Sequence, residues 1–187
     1  KAVRRGIKHA KLIGDLPLKG LTKGVSQAVE SAKRFMNEAG CDAVKFEWAS
    51  NVSDVLKAFA KHKIPVMGHV GLTPQTVNPH SGFKVRGRNS KDAFQILNQA
   101  LFFEKQGAFS IVLECIPSEL SQMITEKIKI PTIGIGAGPY CDGQVQVVHD
   151  FLGITPTAPR HAKAYASVGK DITEAAKLGW KAKTALE

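Results

Sequence analysis

Short apolar runs alternate with amphipathic stretches along this chain, and the alternation leaves few architectures open. "AKLIGDLP", "DAVKFEW", "IPVMGHVGL", "AFSIVLECIP" and "IPTIGIGAG" read as short buried strands. Between the first two, "VSQAVESAKRFMNEAG" sets Val25, Ala28, Val29, Ala32 and Phe35 on one helical stripe, with Gly40 as its stop. "SDVLKAFAKHK", with Ser53 as N-cap, reads as a helix, as does "SKDAFQILNQALFFEKQG", capped by Ser90 and stopped by Gly107. "SELSQMITEKI" opens another at Ser118, and the stretch from about 158 to 187 reads as mostly helical. Apolar strands separated by amphipathic helices imply a parallel sheet covered by helices. An open doubly wound sheet and a (β/α)8 barrel both satisfy that pattern.

The ionisable residues favour the barrel. Asp15, Glu47, His69 and Glu114 all fall at, or just past, the C-terminal ends of strands. In a barrel these ends converge on one mouth, where the chemistry sits. A carboxylate such as Glu114, closing the apolar run Phe109-Ser110-Ile111-Val112-Leu113, is costly unless a partner or a reaction calls for it. "GIGAG", residues 134 to 138, lacks the spacing of a dinucleotide fingerprint and reads as a strand-end loop of close backbone approach. "HVGLTPQTVNPHSGFKVRGR" has the length of a lid or binding loop; its His80 is read as a surface residue.

The chain has 187 residues, enough for one domain with a substantial core. No apolar run approaches the roughly 18 residues of a membrane span. The opening "KAVRRGIKHAKLIGDLP" carries no signal peptide and reads as the interior of a domain. Cys41, Cys115 and Cys141 form no zinc spacing or disulfide framework, as in a reducing compartment. The net charge of +10 and pI near 9.6 favour anionic partners: small phosphorylated or polyglutamylated molecules, nucleic acid or an anionic surface. No aromatics interleave the basic residues, so a single-strand stacking platform is unsupported.

"IGDLP", "AVKFE", "IPVMGHVGLTPQTVN", "GFKVRGR", "VLECIPSEL", "IPTIGIGAG" and "DGQVQVVHDFLGI" occur in this order and spacing. Together they resemble the ketopantoate hydroxymethyltransferase family, over nearly the whole chain from about Ala2 to Ile154. The resemblance implies a (β/α)8 TIM-type barrel lacking its first two strand–helix units in this chain. Residues 1–187 would then form a single partial barrel domain with a C-terminal helical segment. It implies transfer of a hydroxymethyl group from 5,10-methylenetetrahydrofolate to 2-oxoisovalerate, with Mg²⁺ at the mouth and a homo-oligomer, typically a decamer. It makes Asp15 and Glu47 the acidic groups of the metal site. Lys45 and His69 become substrate-binding residues, and Glu114 the general base. The residue types suit this chemistry: Mg²⁺ prefers oxygen ligands, and a carboxylate in a closed mouth can take a proton.

Each residue has a plainer reading. Asp15 before Leu16-Pro17 also suits a turn cap, and Lys45 with Glu47, two apart on one strand face, suits a structural ion pair. His69 also suits a hydrogen-bonded core histidine, and Glu114 a rim salt bridge. Leu18 and Trp48-Ala49 depart from the Phe and Gly-Gly of the family, and a Trp at 48 would crowd the mouth. With the high basicity, this motivates a second reading: a catalytically degenerate relative serving as a basic structural or RNA-proximal subunit. A related barrel enzyme acting on phosphoenolpyruvate-type substrates is a third, which "GHVGLTPQTVN" argues against. The compartment expected is the mitochondrial matrix or the cytoplasm.

Overall fold

A computed structural model describes residues 1–76 and 84–184. Part of the long loop read as a lid, His80 included, lies outside the described residues. The chain divides into two compact units, residues 1–144 and 145–187.

The first unit opens with helix α1 (Ala2–Gly6) and continues as strand β1 (Ile13–Asp15), helices α2 (Leu18–Thr22) and α3 (Val25–Asn37), and β2 (Ala43–Glu47). Helix α4 (Val52–Lys61), β3 (Val66–Gly71), α5 (Ser90–Lys105), β4 (Ser110–Glu114), α6 (Ser118–Lys127), β5 (Thr132–Ile135) and the short β6 (Gly143–Gln144) follow. The five strands read from the sequence are present. The added strand, β6, has two residues, too few to leave a periodicity signal.

Among the described residues the strands form one parallel sheet in the order β1-β2-β3-β4-β5-β6. A doubly wound sheet would reverse direction at a switch point. An unreversed order with right-handed crossovers puts the helices on one face and leaves the other for a barrel interior. The packing agrees. Gly14, Val44, Phe46, Gly68, Val70, Ile111 and Leu113 share a face through the register. On that face the Phe35 ring of α3 lies so close to Gly14 that a side chain there would collide with it. Phe59 of α4 and Phe103 of α5 meet Phe46 edge-on at centroid distances of 5.8 and 5.7 Å. Gly68 is needed because a Cβ would come within 2.7 Å of the Phe103 ring. Phe46, Phe59, Phe103, Ile111 and Leu113 are fully buried, so the core lies between sheet and helices.

Two caps differ from the sequence reading. The N-cap of α4 is Asn51, not Ser53, and that of α5 is Asn89, not Ser90. The Asn89 side chain accepts the Asp92 N–H at 2.9 Å, and an Asx or Ser residue can cap from either neighbouring position. Gly40 and Gly107 follow their helices with left-handed φ values of 71° and 86°, as C-terminal stops do.

The second unit holds helix α7 (Val148–Phe151) and helix α8 (Val168–Thr184). Residues 158–167 are largely irregular, with a turn at 160–161, so the terminal helix starts later than the sequence pattern suggested. Phe151 and Tyr165 stack at 5.1 Å, and Val168 N–H is bonded to Leu152 O at 3.1 Å. Among the described residues no helix is long and apolar enough to cross a membrane.

Candidate active site

Strand alternation places Asp15, Lys45, Glu47, His69 and Glu114 on the helix-free face. Register joins Asp15 to Lys45, Met67 and Ser110 in one row across the sheet. Glu47, His69, Val112 and Ile133 form the next row, and Gly71, Glu114 and Ile135 the one after it. The rows climb toward the C-terminal strand ends as the register of a tilted barrel sheet does.

Lys45 does not pair with Glu47, as the structural reading would have it. Its Nζ lies 2.7 Å from Asp15 Oδ1 across the β1–β2 pair. Asp15 is 53% exposed and Lys45 20%, and so open a pair contributes about 0–1 kcal/mol. Stability therefore gives little reason for the pair; it holds an ammonium and a carboxylate ready on the interior face.

Glu47 is 3% exposed. Burial pushes its carboxyl above the usual carboxylate range, against the pull of the Gln75 N–H, His69 and Lys45; the nearby Asp15 charge adds to the rise. The main-chain N–H of Gln75 donates to both Glu47 oxygens, at 3.1 and 3.2 Å. That donor is produced by a local turn. Thr73-Pro74-Gln75-Thr76 closes with Thr76 N–H on Thr73 O at 3.0 Å, with Pro at the favoured second position. The N–H of the third residue of such a turn has no partner within it. Nothing in the apolar pattern marks Gln75; the Pro-Gln turn shortly after β3 is the one local signal for it.

His69 is also 3% exposed, and its Nε2 stands 3.0 Å from Glu114 Oε2. The approach lacks hydrogen-bond alignment, and neither ring nitrogen has a hydrogen-bond partner among the described residues. Leaving such a group unmet costs about 1–3 kcal/mol. The reading of His69 as a hydrogen-bonded core histidine therefore finds no aligned partner for it among the described residues.

Glu114 is mostly buried, and the backbone after it is tightly held. Cys115 sits at the left-handed φ of 46°, with its N–H on Ile135 O at 2.8 Å and its carbonyl accepting Arg86 N–H at 2.9 Å. Those bonds hold a conformation that a non-glycine residue rarely adopts. None of the three cysteines is in a disulfide, and burial, with the Glu114 charge, pushes the Cys115 thiol up to about 11. It is therefore a poor nucleophile at neutral pH.

Trp48 does not crowd the mouth. One residue beyond inward-facing Glu47, it turns to the helix side and packs edge-on against Phe102 and Phe103 at 5.6 and 5.7 Å. The glycine loop fits its reading as well: at Gly138 a Cβ would meet Ser118 Cβ at 2.5 Å.

The donor set suits a hard divalent cation in part. Asp15 and Glu47 end adjacent strands on the same face, close enough for their charges to interact. Among the described residues no three His, Cys, Asp or Glu side chains cluster as a metal cage would need. Mg²⁺ is commonly held by one or two carboxylates, with water and substrate oxygens completing its shell, so these two residues fit it.

A helix-backed parallel sheet of unreversed strand order, with three carboxylates, a lysine and a histidine on its open face, places the chain in the α/β class as part of a barrel-type fold. The chain belongs to the ketopantoate hydroxymethyltransferase family, whose model matches residues 1–182. A 3-methyl-2-oxobutanoate hydroxymethyltransferase from Clostridium botulinum (strain Langeland / NCTC 10281 / Type F) is 49% identical over 93% of this chain and 64% of its own. One from Dehalococcoides mccartyi (strain ATCC BAA-2266 / KCTC 15142 / 195) is 51% identical over 94% and 62%. The chain thus spans a little under two thirds of the length of the curated relatives it matches. An isomerase from Streptomyces coelicolor A3(2) superposes on 66% of this chain and 32% of its own with a TM-score of 0.42 at 14% identity, too slight a likeness to bear on function. The named relatives are bacterial, and the mitochondrial matrix draws no support from them.

Proposed function

We propose that a protein carrying this chain transfers a hydroxymethyl group from 5,10-methylenetetrahydrofolate to 2-oxoisovalerate, giving ketopantoate. The observation that supports it best is the placing of Glu114 beside His69 on the interior face, in a chain of this family. Glu114 Oε2 takes the proton from the carbon next to the 2-oxo group. His69 Nε2 lies 3.0 Å from that oxygen, near enough for its ring to interact with the charge there. Lys45 turns its ammonium from Asp15 toward the substrate carboxylate. Asp15 and Glu47 would hold Mg²⁺, which when bound supplies positive charge that draws electron density from the 2-oxo group and acidifies the neighbouring C–H. The apolar residues of the interior rows, Val112, Ile133 and Ile135, flank the place where the branched carbon chain would lie. The six strands are then consecutive strands of an eight-stranded barrel whose first two units are lacking from this chain. A homo-oligomer, a decamer by the family resemblance, and a bacterial cytoplasm belong to the same proposal.

Proton exchange tests the base without the folate. With Mg²⁺ in D₂O, the protein should replace the C3 hydrogen of 2-oxoisovalerate by deuterium, read by NMR. Glu114→Gln should slow this by about 10²–10⁴-fold. Exchange at the unchanged rate in that variant would remove Glu114 from the role.

A further inference from the structure

We infer that Gln75 is a positioning residue: its side-chain amide locks the segment carrying Asp15 to the turn that holds Glu47. The inference rests on the reading of Asp15 and Glu47 as the cation-holding pair.

The two carboxylates sit on adjacent strands but are supported in different ways. Glu47 is buried and takes the Gln75 main-chain N–H on both oxygens. Asp15 is more than half exposed, at the end of a three-residue strand, and its neighbours lead straight into the Leu16-Pro17-Leu18 corner. Leu16 N–H continues the ladder onto Lys45 O at 2.8 Å. Beyond that bond the corner has no further ladder partner among the described residues, because Pro17 has no N–H to give.

Gln75 fills that gap. Its Oε1 accepts Leu18 N–H at 2.6 Å, and its Nε2 donates to Leu16 O at 3.2 Å. One primary amide thus bonds a carbonyl and an N–H on either side of a proline, as a neighbouring strand would. A single residue therefore touches both supports: its main chain holds Glu47, and its side chain holds the corner next to Asp15.

The chemistry makes amide identity matter. Glutamate could accept from Leu18 but would face Leu16 O with a second oxygen. Methionine has about the right length and makes neither bond. Gln75 is exposed, so neither change disturbs the core. Residues that orient metal ligands from outside the ligand set are worth 10–100-fold in metal affinity when changed.

The test uses Gln75→Met and Gln75→Glu, with Mg²⁺ alone as probe by calorimetry and Mn²⁺ by paramagnetic resonance. Both variants should bind these ions about 10–100-fold more weakly than the parent, and raised Mg²⁺ should restore turnover. In metal-free protein the Leu18 amide should exchange with solvent faster in Gln75→Met, which removes its acceptor, a readout independent of activity. Parent-like ion affinity in both variants, or parent-like Leu18 exchange in Gln75→Met, would overturn the positioning role. Failure of the parent itself to bind either ion would instead remove the cation reading of Asp15 and Glu47, and the role of Gln75 with it.

Discussion

Gly71 shows how tightly single residues set the site. It stands opposite Glu114 in the register, at a φ of 95° that favours glycine. A side chain there would collide with the Glu114 carbonyl and approach Ile116 Cγ2 to 2.8 Å. Gly71→Ala should cost about 1–3 kcal/mol in denaturant unfolding and, by displacing Glu114, slow deuterium exchange of the substrate. An alanine variant with parent stability and parent exchange would show that the strand end has room to move. The same scale explains which roles were legible. Asp15, Glu47, His69 and Glu114 are legible as ionisable residues at the ends of apolar runs, whereas Lys45, in the middle of its strand, is singled out by the family resemblance. Gln75 is neither, because a glutamine in a polar turn is unremarkable until the two segments it bridges are brought together. The direction of Trp48 was legible after all: if Lys45 and Glu47 face inward, alternation sends Phe46 and Trp48 the other way.

At the scale of elements, helix α5 is anchored by its first turn. Asp92 accepts Arg86 Nη2 at 2.8 Å, Arg86 Nε at 3.2 Å and Gly87 N–H at 2.6 Å, while its own N–H satisfies Asn89. Bonding to Arg86 holds the Asp92 carboxyl below the usual range, with burial opposing and the Gly87 N–H assisting. A carboxyl with a lowered native pKa contributes stability above its unfolded pKa of about 3.9 and loses it as pH falls through the native value. Asp92→Asn should therefore cost about 1–2 kcal/mol at neutral pH, and the gap to the parent should shrink below about pH 4. A gap that stays constant from pH 7 to pH 3 would mean that charge contributes nothing there. The helices themselves were readable from their apolar stripes. Their caps were not, since Asn51 competes with Ser53 and Asn89 with Ser90, and backbone geometry chooses between such near neighbours.

For the whole molecule, the net charge of +10 separates the two classes of function first considered. An enzyme drawing a small anionic 2-oxo acid into a basic surface should lose kcat/KM moderately as salt rises, with kcat little changed. A basic subunit built around RNA should instead show a steep logarithmic fall of RNA affinity with salt. Titrating both quantities from low to high ionic strength decides between them. A flat kcat/KM together with a steep RNA slope would count against the enzyme.

The amino-acid order by itself determined the alternation of strands and helices, the parallel sheet and the charged residues at strand ends. These follow from hydrophobic periodicity and from the cost of ending a buried strand in a carboxylate, both of which act over a few neighbouring residues. Only the tertiary structure decided that Lys45 pairs with Asp15 rather than Glu47, that both His69 nitrogens lack aligned partners among the described residues, and that one glutamine spans two loops. Those outcomes depend on register and on contacts between segments up to 59 positions apart, which no local pattern encodes.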